Sequence, residues 1–237
     1  GGAEPPEPET CDHSGDKATC TPDDTFSWLH SVQCACGYSG SEPHTDGDSN
    51  NKCDSCGAAL AAKTRGSFST INYGSMAGDS TEGIIADHAL GTRYFTDLKQ
   101  AMKCAFLEVT VLTDVTVPAE DMELAVYCNP GDYIAGDEPI PDAAVIDLGG
   151  HTVTMGPRFE IWAEENGISK FTIRNGTLNI NDELFIGQLV TLTNDADIRL
   201  GENATISKAG TVICREDDSN HVWKDGTCLL CGESCPH

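Results

Sequence analysis

The sequence predicts a mainly β chain. The expected fold is a short right-handed parallel β-helix, capped by an amphipathic helix and flanked by two small Cys/His modules of the zinc-ribbon kind. Three observations carry this reading. Short runs of β-formers split by Gly or Asn recur roughly every 25 residues through 143–207. Ahead of those runs, one stretch has helical rather than strand periodicity, at 96–106. Ten of the twelve cysteines gather at the two ends, six between Cys11 and Cys56 and four between Cys214 and Cys235, with Cys104 and Cys128 between them.

The recurring runs are AAVIDLGGHTVTM (143–155), SKFTIRNGTLNI (169–180) and ADIRLGENATI (196–206). In the first, Val145, Ile146 and Leu148 precede Gly149-Gly150, and Thr152–Thr154 follow. In the second, Phe171–Ile173 precede Asn175-Gly176, and Leu178 and Ile180 follow. In the third, Ile198 and Leu200 precede Gly201, and Ala204 and Ile206 follow. One such coil cannot bury its inward face alone, but stacked coils can.

In chain order, 1–10 (GGAEPPEPET) is a Pro- and Glu-rich linker. Residues 11–57 form the first Cys/His module. Residues 58–93, rich in Gly, Ser and Thr, read as a connector, with one candidate strand at Phe68–Tyr73. Residues 94–213 make the β-helix and its cap, and 214–237 the second Cys/His module. In the capping helix Thr96 is the expected N-cap, with Asp97 in the first turn. Leu98, Ala101, Met102, Ala105 and Phe106 form one apolar stripe. Strands follow at Glu108–Val117 and Leu124–Tyr127. Cys104 and Cys128 are either a disulfide or a pair of thiols. The acidic loop 129–142, with Tyr133 and Ile134, breaks the rhythm and is the candidate partner-binding element.

The first module offers Cys11, His13, Cys20, His30, Cys34, Cys36, His44, Cys53 and Cys56. The pairs Cys34-Ala-Cys36-Gly and Cys53-x-x-Cys56-Gly are knuckle-like turns. Interleaved His supplies the mixed N/S donors that zinc prefers, whereas a disulfide framework has no use for His. So little apolar sequence lies between them that the segment needs a staple to fold. The expected split places His13, Cys20 and part of the Cys34/Cys36 turn at one ion and His44, Cys53 and Cys56 at another, with His30 spare. Asp46, Asp48 and Asn50 alternate like the start of a calcium loop but lack its Gly and its closing Glu, and read as a solvated turn. In the second module Cys214, His221, Cys228 and Cys231 make one closed set. Cys228, Cys231, Cys235 and His237 make a rival set. About three structural Zn2+ ions are expected in all.

Composition limits function. With 14 basic against 38 acidic side chains the net charge is −24, which repels nucleic acid and anionic membranes. No apolar run approaches the roughly 20 residues of a membrane helix. The start, Gly1-Gly2, has no basic and apolar leader and reads as the beginning of a domain from a longer chain. Asp195, Asp197, Arg174 and Lys170 are the nearest thing to a catalytic group on the β-helix. Alternating polar residues on a strand are ordinarily its solvent face, and no enzyme is expected.

HVWKDGTCLLCGESCPH (221–237) and WLHSVQCACGYSGSEPHTDGDSNNKCDSCG (28–57) resemble the short Cys/His repeats of large cell-surface proteins of gut-dwelling Gram-positive bacteria. YFTDLKQAM, VTVLTDVTV and VIDLGGHTVT resemble the β-helix (pectate-lyase-like) regions that accompany those repeats. The resemblance covers roughly 11–57 and 94–237. Cys34-Ala-Cys36 departs from it, since the repeat has Cys-x-x-Cys there. The resemblance implies export, anchoring at the cell surface and an adhesin-like binding role. It implies no particular ligand; a host protein, such as an immunoglobulin or matrix protein, is the first choice because aromatics are scarce, 15 of 237 residues. A host glycan held by aromatics such as Trp28, Tyr133, Trp162 or Trp223 is the second choice, a passive stalk the third, and a polysaccharide-degrading enzyme the last.

Overall fold

The computed structural model describes residues 18–23, 26–34, 37–66, 91–103, 108–120, 123–126, 143–163, 165, 167–215 and 220–234. The fold is mainly β. Near the start, β1 (Ala18–Pro22), β2 (Leu29–Cys34) and β3 (Ser39–Pro43) form an antiparallel sheet. Then come β4 (Ala62–Gly66), β5 (Gly91–Phe95), a single short helix among the described residues, α1 (Leu98–Lys103), and β6 (Glu108–Val111). They are followed by β7 (Val115–Val117), β8 (Glu123–Val126), β9 (Ala143–Asp147), β10 (Thr152–Met155) and β11 (Arg158–Ile161). The rest are β12 (Lys170–Ile180), β13 (Glu183–Ile186), β14 (Thr191–Leu200), β15 (Thr205–Lys208), β16 (Thr211–Cys214) and a hairpin of β17 (Trp223–Lys224) and β18 (Thr227–Cys228).

Parallel pairing dominates. The run β6-β9-β12-β14-β16 is parallel throughout, as are β7-β10-β12 and β8-β11-β13-β15. The first two runs, with β4 and β5, make one nine-stranded sheet that curls like a half-barrel. The third makes a separate four-stranded sheet. Strands such as β10, β11, β13 and β14 alternate burial, so inward residues stack across neighbours. Ala144 lies beside Phe171, Phe171 beside Leu192 and Leu192 beside Val212, and all four are buried.

The expected breaks at Gly149-Gly150 and Gly201 separate strands. That at Asn175-Gly176 does not. β12 runs through it as one strand whose register shifts between Arg174 and Thr177. Asn175 has φ +57 and Gly176 φ +152, and a Cβ on Gly176 would lie 2.6 Å from the His151 carbonyl oxygen. The bulge lets β12 pair with β9 before it and β10 after it.

Two further expectations change. Within 58–93, expected as a connector, β4 and β5 join the nine-stranded sheet, antiparallel to each other, with β4 antiparallel to β6. Phe68–Tyr73 lies outside the described residues. The N-cap of α1 is Asp97, whose Oδ1 accepts the Lys99 amide at 2.8 Å. Thr96 is instead tied to the first module, its amide and its hydroxyl both donating to the Ser27 carbonyl at 2.8 and 3.2 Å. Leu98, Ala101 and Met102 are buried. Ala105, Phe106, Cys104 and Cys128 lie outside the described residues.

Both Cys/His modules are welded to this core. Trp28 and Leu29 of the first, and Cys228 and Leu230 of the second, belong to the same buried apolar cluster as the sheet. The first docks at the β4–β5 end, where Ser27 N donates to Gln100 Oε1 and Asn51 Nδ2 to the Leu112 carbonyl, both at 2.9 Å. The second docks at the β14–β16 end, through Asn194 and through Lys208 Nζ, which donates to the Leu230 carbonyl.

Candidate metal centres

In the first module β2 is paired on both sides, and its buried positions include His30, Val32 and Cys34. His30 therefore points inward, 1% exposed, beside His44, 2% exposed. The Cys53-x-x-Cys56-Gly57 turn closes against them. Gly57 N donates to the Cys53 carbonyl at 2.8 Å, which needs Gly57 at φ +71. Cys53 Sγ lies 3.8 Å from His30 Nδ1 and Cys56 Sγ 3.6 Å from His44 Nδ1. The donor atoms of His30, His44, Cys53 and Cys56 all fall within 4.8 Å of one another. His30, expected as the spare, is the fourth member. Spacing along the chain hides this, because the cross-strand register and not sequence distance brings His30 to the turn.

The second centre gathers Cys214, His221, Cys228 and Cys231, again within 4.8 Å. This is the first of the two sets the sequence offers. Cys214 closes β16, and the Cys228-x-x-Cys231-Gly232 turn repeats the earlier one, with Gly232 N donating to the Cys228 carbonyl at 2.9 Å and Gly232 at φ +84. Cys231 Sγ is 3.5 Å from His221 Nδ1, and Cys214 Sγ is 3.9 Å from Cys228 Sγ. Trp223 stacks on His221 at 4.8 Å and fixes its ring.

These separations fit a metal. Bond lengths of about 2.3 Å to sulfur and about 2.05 Å to nitrogen give tetrahedral edges of about 3.6 Å (S–N) and about 3.8 Å (S–S). The four distances above match them, whereas bonded sulfurs would be about 2.05 Å apart. All seven described cysteines are thiols. The Nε2 atoms of His30 and His44 are buried with no hydrogen-bond partner, so neither imidazole is committed elsewhere. Burial, and then the adjacent His30, hold His44 down to about 4, keeping it a neutral ligand at pH 7. Burial pushes Cys214 far up, reinforced by Cys228 and Cys231. Burial also opposes ionisation of Cys228, but hydrogen bonds from the backbone of Cys231, Val222 and Leu230 and from His221 outweigh it and bring that thiol to about 6. Each centre could thus hold a metal ion with four protein donors.

The other predicted ligands fall differently. Cys34 is buried and Cys20 half-buried, and neither is in the tetrad. Cys20 still lies close enough for Cys53 to add to the upward push that burial gives its thiol. The Cys34 turn is a shortened version of the other two. Gly37 N donates to the Cys34 carbonyl at 3.0 Å and Cys34 N to the Tyr38 carbonyl at 2.9 Å, one residue sooner than in the Cys-x-x-Cys turns. Cys11, His13, Cys36, Cys235 and His237, and with them any third ion, lie outside the described residues, as do Tyr133 and Ile134. Asp46, Asp48 and Asp54 cluster, but their oxygens accept the amides of Asn50, Asn51 and Gly47 and close the turn. Of the aromatics considered for sugar stacking, Trp28 is in the core and Trp223 is occupied by His221. Asp195 and Asp197 do face outward together, with Leu192, Asn194, Ala196 and Ile198 inward.

No family model matches the chain, and comparison with curated proteins and with solved structures finds no match either.

Proposed function

We propose that this is an extracellular recognition module, anchored to a bacterial cell surface through its parent chain, in which zinc is structural. The parallel runs of strands are read as the faces of a short β-helix, and the two Cys/His centres as its end fittings. One observation carries this: the two tetrads lie at opposite ends of the same nine-stranded sheet, each closed by four protein donors. A closed tetrahedral site leaves no position for a substrate, and a stack of coils needs both ends covered. Mixed Cys/His donors favour zinc over hard cations.

The outward face of the nine-stranded sheet is the recognition surface. One row runs Lys63, Thr110, Asp147, Arg174, Asp195, and the next Arg65, Glu108, Val145, Thr172, Thr193, Ile213. Ile213, half exposed, and its threonine neighbours offer a flat surface suited to a host protein such as an immunoglobulin or matrix protein. The test is capture from intestinal mucus and secreted antibody with zinc-loaded protein. Enrichment of one host protein by the wild type, abolished by Thr193→Arg with folding intact, supports the reading. Equal capture by both overturns the assignment of this face, and no capture at all favours a spacer.

A further inference from the structure

At the β4–β5 end of that outward face lies a groove of about 310 Å³ lined by Lys63, Arg65, Thr92, Tyr94, Glu108 and Thr110. The strand registers put these six side chains on one surface: Lys63 is opposite Tyr94 and Thr110, and Arg65 is opposite Thr92 and Glu108. Facing Arg65 with Glu108 should produce an ion pair. It does not, because Glu108 Oε1 accepts from Arg174 Nη2 at 2.9 Å, and Arg174 Nε donates to Asp147 Oδ2 at 2.8 Å. Glu108 is drawn along the sheet toward Arg174. Among the described residues neither Lys63 nor Arg65 makes a salt bridge. In a chain with 14 basic against 38 acidic side chains, two cations two residues apart with no acidic partner among the described residues are a poor choice for a bare solvent face.

We propose that this groove binds an acidic sugar residue, its carboxylate or sulfate held between Lys63 and Arg65 and its hydroxyls by Thr92, Thr110 and Tyr94. The volume lies at the low end of small-ligand sites, roughly 300–1,000 Å³. The Arg guanidinium can grip a planar carboxylate or a sulfate edge with two donors. A half-buried tyrosine presents both an apolar ring and a hydroxyl to a sugar. This rests on the reading of the outward face as the recognition surface, and adds to it a glycan contact separate from the Ile213 end.

Calorimetric titration of the zinc-loaded protein with N-acetylneuraminic acid, a galacturonic acid trisaccharide, galactose 6-sulfate and neutral galactose tests it. At least one acidic sugar should bind, neutral galactose at least tenfold more weakly, and binding should weaken between 20 and 150 mM salt. Which acidic sugar wins separates carboxylate from sulfate recognition. The K63Q/R65Q double variant, with unchanged melting and zinc content, should lose at least tenfold. Single K63Q and R65Q variants provide the readout should the double variant fold poorly. Binding of neutral galactose as tight as the acidic sugars, full binding by the variants, or no binding of any acidic sugar overturns the proposal. If host-protein capture blocked by Thr193→Arg persists in that last case, the groove assignment alone has failed and the recognition surface stands.

Discussion

Asn194 Nδ2 donates to the Asn220 carbonyl at 2.6 Å, and through this bond the β sheet holds the segment that carries the second Cys/His tetrad. Asn194 occupies an inward position, paired with Ile173, which is itself paired with Ile146. A polar side chain in an apolar stack is costly unless satisfied, and Asn194 is satisfied: it also donates to the Ala196 carbonyl and accepts the Ala196 amide. Its next neighbour in the row is Cys214, a member of the second Cys/His tetrad. Asn194→Ala should cost about 1–3 kcal/mol, the penalty for leaving a buried carbonyl unpaired, read from the urea midpoint. It should also speed metal release from one of two centres, followed with a chromogenic chelator. Asn194→Leu should recover part of the stability through apolar stacking while keeping the faster release. Uniform release from both centres in either variant contradicts this docking role.

The tetrads themselves make a sharp stoichiometric prediction. His30→Ala and Cys228→Ser should each remove one zinc ion by native mass spectrometry. Cys20→Ser should leave the His30, His44, Cys53, Cys56 ion in place. Chelation should destabilise the whole chain, because Trp28, Leu29, Cys228 and Leu230 are in the common core and binding to the folded state alone contributes directly to folding. Loss of an ion in Cys20→Ser with retention in His30→Ala would restore the split expected from spacing along the chain.

What the sequence disclosed follows from how local each signal is. The Cys228-x-x-Cys231-Gly232 turn with Cys214 and His221 is legible as one of two rival sets, since its donors are close in sequence and the knuckle demands its glycine. His30 could not, because its partners Cys53 and Cys56 reach it only through the β1-β2-β3 register. β4 was hidden in an unremarkable AKTRG, where Ala62 and Thr64 face in and Lys63 and Arg65 out. β11 and β13, four residues each, contribute two inward side chains apiece and become strands only by parallel pairing with strands distant in sequence. The N-cap moved from Thr96 to Asp97 for a tertiary reason, since Ser27 claims Thr96.

Gly176 and Gly150 test the packing of β12 against the turn between β9 and β10. Both have positive φ, +152 and +80. A Cβ on Gly150 would meet nothing within 4 Å, whereas one on Gly176 would lie 2.6 Å from both the His151 carbonyl oxygen and Leu148 Cβ. Gly150→Ala should cost about 1 kcal/mol of backbone strain. Gly176→Ala adds a clash with Leu148 and the His151 carbonyl and should cost about 3 kcal/mol or more. Thermal melts of the pair check the order, and equal melting temperatures would mean the bulge in β12 is not packed against the His151 turn.

Asp147 gives a pH dependence of known sign. It is 9% exposed, and burial alone would raise its pKa. Hydrogen bonds from the Gly149 amide, Arg174 and Asn175, with the charge of Arg174, outweigh that and hold the carboxyl below its ordinary range. A carboxylate whose folded pKa is depressed contributes stability that is fully present above its unfolded pKa, about 3.9, and is lost as pH falls through the folded value. Asp147→Asn should therefore be less stable than wild type by about 1.5–3 kcal/mol at pH 7, the range for hydrogen bonds to a charged group. The gap should close below about pH 4 as the wild-type carboxylate becomes neutral. Taking the difference between the two proteins at each pH cancels the acid release of metal that both share. A gap that stays constant down to pH 3 would show that Asp147 acts through packing alone, and that Arg174 is held toward Glu108 without it.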